Sequence, residues 1–326
     1  MIKKVFGILT ILMLLFTGCG NNSDSVKKLK LAHALTEGHP VHLAMVEFAK
    51  EVKDKTDGKV EILIFPNGQL GGEREITELM QAGAIDMIKT NAGPMESFAK
   101  EYSVLSLPYL FKDIHQNLAV LKSDIGEDIL NATIDRGFIG LTFYNSGTRN
   151  MYTKKPVKSV TDLNGMKIRV QTSKTMVKMT ELLGGSPSPL SFGEIYTALQ
   201  QGVVDGAENN LISYAESKHY EVAPYFTFDA HSISPDVMIM NTKAWNKLSE
   251  DEQKIIKQAA LNSFDYQNKI WFETEDKLVD SLKAQGVQFF EVDQNEFVEK
   301  VQPLYNDVMK DPLIKTYVER IKEFKY

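Results

Sequence analysis

The sequence has one cysteine, Cys19, in 326 residues, so no disulfide closes within the chain. It also lacks a G-x-S-x-G nucleophile elbow, a P-loop and a G-x-G-x-x-G run. Hydrolase, nucleotide and dinucleotide chemistries are thus left without their usual motifs, and no catalytic residue is expected. The six histidines, His33, His39, His42, His115, His219 and His231, are scattered. His39 and His42 can share a helix face, but no third histidine or cysteine stands at ligand spacing, so neither a metal nor a cofactor is expected. Beyond the N-terminus there is no long apolar run to read as a membrane span. The net charge is −6, and no basic cluster carries interleaved aromatics, which argues against a nucleic-acid partner.

What is present begins at the N-terminus. Met1-Ile2-Lys3-Lys4 is a short positive segment, followed by an apolar run over residues 5–16 and then Thr17-Gly18-Cys19. This is the layout of a secretory signal, and the run is too short to span a bilayer comfortably. Residues 16–19 resemble the bacterial lipobox, in which the cysteine becomes the lipidated first residue of the mature chain. Lipid on Cys19 would remove a thiol exposed to an oxidising compartment and would hold the protein at a membrane surface. The polar stretch after it reads as a flexible tether. The expected processing is therefore a signal peptide over 1–18 and a lipidated cysteine with tether over 19–27, placing the protein at the outer face of the cell membrane or in the periplasm.

The remaining roughly 300 residues exceed one ordinary core and suggest two lobes. Residues 28–34 alternate polar and apolar as a strand does, and Val41, Ala44, Met45, Phe48 and Val52 recur at helical spacing. A strand over 59–65, a helix over 75–82 and a strand over 84–88 complete a β-α-β-α-β opening, the pattern of an α/β lobe. A helix is predicted over 115–136, with strands over 138–144, 166–170, 203–205 and 236–241. Helices are predicted over 174–183 and 192–201. Residues 250–285 contain neither proline nor glycine and read as one long helix or two abutting ones, long enough to bridge two lobes.

Arginine is the scarce charge. Of 37 basic residues, only Arg74, Arg136, Arg149, Arg169 and Arg320 are arginine. The planar guanidinium matches a carboxylate through two bonds and does not titrate away. Arg169 lies inside the apolar strand Ile168-Arg169-Val170, where a charge needs a partner. Arg149 follows Ser146-Gly147-Thr148 near a strand end, where α/β clefts bind ligands. Structural ion pairs are the competing reading of both.

Several ordered stretches carry a family resemblance. They are residues 65–75 (from Phe65-Pro66-Asn67-Gly68 to Gly72-Glu73-Arg74-Glu75), Leu107-Pro108-Tyr109-Leu110-Phe111, residues 163–170 and residues 192–209. From Leu29 to roughly Lys254 the chain resembles the DctP-type substrate-binding proteins of tripartite ATP-independent periplasmic (TRAP) transporters. The resemblance implies an α/β, two-lobed periplasmic-binding-protein-like fold, with a ligand cleft that closes by a hinge. The expected lobes are 28–147 with 235–274, and 148–234 with 275–326. It also implies a small carboxylated solute and the transporter's membrane subunits as partners, a monomer, and no enzymatic activity. In this family the arginine matching Arg169 grips the ligand carboxylate, that matching Arg149 adds a second contact, and the asparagine matching Asn209 hydrogen-bonds nearby. Phe192 would be a pocket wall, with ordinary core as its other reading.

The opposite wall should choose the ligand. Glu73 and Asn91 match positions that contact the polar body of the solute. Sialic-acid binders carry an acidic residue in place of Asn91 and an arginine in place of Pro94, so sialic acid is not expected. The Gly71-Gly72-Glu73-Arg74-Glu75 run, with Asn91, looks more like the branch that binds uronates and other sugar acids. Glu73, Asn91 and His33 or His39 would offer donors and acceptors to several hydroxyls. A C4-dicarboxylate or keto acid is the alternative; a flat dicarboxylate would want a second cation, for which Lys89 is the candidate. A surface hydrolase or lyase using Glu73 with a histidine, and a sensory binding protein, are the remaining readings.

Overall fold

The computed structural model describes residues 26–326; the expected signal segment and Cys19 lie outside them. Two sheets form the two lobes. The first has the order β2-β1-β3-β10-β4, from β1 (Lys27–Ala32), β2 (Val60–Phe65), β3 (Met87–Asn91), β4 (Phe138–Tyr144) and β10 (Asp236–Asn241). β1 runs parallel to β2 and β3, whereas β10 is antiparallel to β3 and β4. The second has the order β11-β9-β5-β8-β6-β7, from β5 (Arg149–Thr153), β6 (Lys167–Val170), β7 (Ser186–Pro189), β8 (Gly206–Asn209), β9 (Tyr225–Ser232) and β11 (Gln288–Glu291). In β10, Val237 and Ile239 enter one core while Met238 and Met240 enter the other, as the two-residue period requires.

Local chemistry sets the element ends. Helix Pro40–Lys55 buries all five residues of its predicted stripe and starts at His39, whose Nδ1 accepts the Val41 amide at 3.2 Å. The strand expected over 84–88 is displaced to β3. Gly83 ends the preceding helix with φ 82°, and Asp86 spends its carboxylate on the Lys30 amide at 2.8 Å before pairing begins. The helix expected over 115–136 is split into Ile114–Leu121 and Asp124–Asn131, because the Ser123 side chain caps the second segment. The strand expected over 203–205 lies at β8. The long proline-free stretch forms two helices, Glu250–Glu275 and Leu278–Ala284.

The chain passes between lobes after β4, after β9, after the 26-residue helix Glu250–Glu275 and again before the last helix, Pro312–Glu323. Helix Glu250–Glu275 packs along helix Pro40–Lys55 and β4, and its far end meets helix Leu211–Glu216 of the second lobe. It also clamps the first crossing: the Gln267 side chain accepts from the Asn145 amide and donates to the Asn145 carbonyl, each at 2.9 Å. Two residues on, Gly147 has φ 60°, and a Cβ there would stand 2.7 Å from the Trp271 ring. Only glycine satisfies both the left-handed backbone and that close approach.

One part of the expected lobe division needs correction. Residues 275–326 are expected in the second lobe, but the final helix, Pro312–Glu323, returns to the first. Ile314, Tyr317, Val318 and Ile321 form its apolar stripe and join the core beneath Val120 and Ile129, while Arg320 pairs with Asp124 and Asp128. The lobes are in contact across the cleft. Glu96 of the first accepts from Thr175 Oγ1 at 2.8 Å, and from the amides of Lys174 and Thr175, at the start of helix Lys174–Leu182 in the second.

Candidate functional site

A narrow cavity lies between the lobes. Strand ends of both sheets supply its walls. Glu73, Lys89, Asn91 and Asp236 come from the first lobe; Arg149, Arg169, Gln171, Phe192 and Asn209 come from the second. Six of the residues singled out in the sequence (Glu73, Asn91, Arg149, Arg169, Phe192 and Asn209) thus line one space.

The two arginines have different surroundings. Arg149 donates from Nε to the Glu208 carboxylate at 2.5 Å and from Nη2 to the Glu208 carbonyl at 3.1 Å. Behind Glu208 lies His231, 3.4 Å away, and His231 Nδ1 in turn meets Asp229 at 2.8 Å. This buried quartet is balanced, two cations against two carboxylates. Burial opposes the charge on His231, but Asp229 and Glu208 outweigh it and raise its pKa to about 9. Burial likewise opposes the Glu208 carboxylate, yet Arg149 and His231 bring it down to about 2.

Arg169 has no such compensation. Its Nε donates to the Leu190 carbonyl at 2.9 Å, and its buried Nη1 has no partner among the described residues. Burial lowers its pKa and Glu208 offsets this only in part, whereas at Arg149 the directly bonded Glu208 outweighs burial and raises the pKa. The strand explains its aim: Ile168 and Val170 enter the core, so the alternate face carries Arg169 into the cleft, and Gln171 two residues on goes with it. Gln171 Oε1 is also buried without a partner among the described residues. Sequence reasoning missed Gln171, although the two-residue period pointed to it. The Asn209 oxygen accepts from the Asn210 amide at 2.8 Å, which turns its NH2 group towards the cavity.

The facing wall centres on Lys89, buried between Asp236 at 3.0 Å and Glu73 at 3.3 Å. Burial opposes the ammonium charge, but the two carboxylates outweigh it and raise the lysine pKa. Burial pushes the Asp236 carboxyl up despite Lys89. Asn91 is fully engaged: its NH2 donates to the Ser234 carbonyl at 2.9 Å and to Asp236 at 3.0 Å, while its oxygen accepts from Gly93 and Ser234. Asp236 is another residue the sequence did not flag.

His33 and His39 do not line the cavity; their neighbours Ala34 and Leu35 do. His33 Nδ1 accepts the Leu35 amide at 3.1 Å, so its proton sits on Nε2 and is donated to His42 at 3.0 Å. By the same reasoning His39 donates from Nε2 to Ser213 of the second lobe at 3.2 Å. Burial lowers the pKa of His33 to about 2 and of His39 to about 3, so both are neutral. No cluster of three or more His, Cys, Asp or Glu able to hold a metal occurs among the described residues. No described helix is long and apolar enough to cross a membrane.

Two α/β lobes closing on an uncompensated buried arginine form the apparatus of an extracytoplasmic solute-binding protein. Residues 31–311 match the bacterial extracellular solute-binding proteins, family 7, and the chain belongs to that family. A TRAP periplasmic solute-binding protein from Bradyrhizobium, solved with α/β-D-galacturonate, is 38% identical with a TM-score of 0.89, covering 91% of this chain and 100% of that one. Another, from Chromohalobacter salexigens with bound D-glucuronate, is 34% identical with a TM-score of 0.88, covering 90% and 99%. The C4-dicarboxylate-binding periplasmic protein of Rhodobacter capsulatus is 30% identical over 80% of this chain and 79% of its own. The chain is therefore a binding protein of the TRAP class and not an enzyme.

The quartet predicts a pH dependence. Folded His231 keeps its proton to about pH 9, whereas an unfolded histidine releases it near 6.5. Its contribution is complete below about pH 6.5 and is lost as pH rises through about 9, a span worth on the order of 3 kcal/mol. Urea midpoints should fall across that window in the wild type, and His231→Gln should flatten the fall. An unchanged slope in the variant would remove His231 from the account.

Proposed function

We propose that this protein captures a hexuronate-like sugar acid outside the membrane and delivers it to the membrane subunits of a TRAP transporter. The observation that carries the reading is Arg169: a buried guanidinium with an open Nη1 calls for an anion, and a carboxylate fits its planar fork. The galacturonate and glucuronate held by the Bradyrhizobium and Chromohalobacter proteins supply the chemical class. On this reading Arg169 grips the carboxylate, Arg149 and the Asn209 amide add donors, and Phe192 packs against the sugar. Glu73 accepts from hydroxyls on the opposite side. Asn91 acts indirectly, by holding Asp236. Residues 1–18 are removed on export, and lipid on Cys19 holds the protein at the outer face of the membrane.

A thermal-shift screen over sugar acids and dicarboxylates tests the ligand, since a ligand bound only by the folded state raises the melting temperature. D-galacturonate or D-glucuronate should give the largest shift, and a response confined to succinate and malate would sink the uronate reading. Arg169→Ala should weaken uronate binding at least about 100-fold while the unliganded protein melts no lower, because the charge removed was uncompensated. For the anchor, Cys19→Ser should abolish incorporation of labelled palmitate in cells and release the protein from membranes. Continued membrane retention without label would refute lipidation.

A further inference from the structure

Lys89 changes meaning once its surroundings are known. As an isolated cation it would suit the second carboxylate of a diacid, but it is shared by two carboxylates, Glu73 and Asp236. Each oxygen of Asp236 accepts a hydrogen bond, Oδ1 from Asn91 and Oδ2 from Lys89, and both contacts favour the anion against the burial that opposes it. Glu73 opens helix Glu73–Ala82, where backbone amides favour a negative charge. The three side chains therefore sum to one negative charge. Across the cavity, Arg149 is neutralised by Glu208 and leaves Arg169 as the unbalanced positive charge.

We infer that the Glu73–Lys89–Asp236 trio is a specificity filter that admits sugar acids with one carboxylate and rejects diacids of similar size. The inference rests on the sugar-acid reading above and adds to it the element that excludes a competitor. With its carboxylate on Arg169, a monoacid turns a hydroxylated edge to the trio, whose carboxylate oxygens accept hydroxyl protons and whose ammonium donates one. A diacid gripped in the same way would bring its second carboxylate against the negative wall. Like charges facing each other in a closed, water-poor cleft repel far more than in water, and such repulsion commonly decides which partner is excluded. The filter operates in the closed form, when the two walls face each other across the cavity.

The experiment is the ratio of dissociation constants for galactarate and D-galacturonate, measured by calorimetry on the wild type, Glu73→Gln and Asp236→Asn. The wild-type ratio should be at least about 100, and each neutralised variant should lower it at least about tenfold. Galactarate is an open chain and the uronate closes into a ring. Shape alone would therefore leave the ratio unchanged in both variants, and that result overturns the filter. Equal wild-type affinity for the two compounds also overturns it, while leaving the sugar-acid reading standing. Binding of neither compound by the wild type refutes the sugar-acid reading and the filter with it. Glu73, at the less buried end of the trio, keeps the comparison available should Asp236→Asn fail to fold.

Discussion

The structure turns on a buried positive charge that the protein leaves unpaid. Removing a guanidinium from water costs several kcal/mol unless a counter-charge meets it. The second lobe has a suitable carboxylate, Glu208, but commits it to Arg149 and His231. Arg169 is left with a carbonyl on Nε and nothing on Nη1 among the described residues. An anionic ligand completes this arrangement, and selection for a carboxylate follows from electrostatics before any detail of shape.

The fold supplies the conditions under which that charge matters. β6 must bury Ile168 and Val170, which sends Arg169 and Gln171 into the cleft. The first lobe forms the other wall of the cleft and sets the Glu73–Lys89–Asp236 trio opposite the arginine. The first crossing between the lobes is clamped at Asn145 by Gln267 and seated at Gly147 against Trp271. A glycine there carries both a backbone conformation and a packing constraint.

Much of this was legible in the sequence, for identifiable reasons. The stripe of helix Pro40–Lys55 and the apolar strands announced the α/β layers because burial imposes period. Arg149 and Arg169 stood out as scarce arginines at strand positions, Asn209, Glu73 and Phe192 through the family resemblance, and all five share one cavity. Other features depend on contacts distant in sequence. Asp236 reads as the ordinary start of a strand until β10 lies beside β3 and brings it to Lys89 and Asn91. Asn91 looked like a ligand contact, yet its hydrogen bonds are spent within the protein. His33 and His39 were near in sequence to the cavity wall, but their rings turn to His42 and Ser213. The return of the last helix to the first lobe depends on a core surface that no local pattern reveals.

The most direct measurement is a crystal structure of the protein with D-galacturonate bound. The account predicts the sugar carboxylate on the Arg169 guanidinium, with Nη1 now donating to it, and the hydroxyl edge against Glu73 and Asp236. A carboxylate seated at Lys89, with Arg169 still lacking an anion, would contradict it.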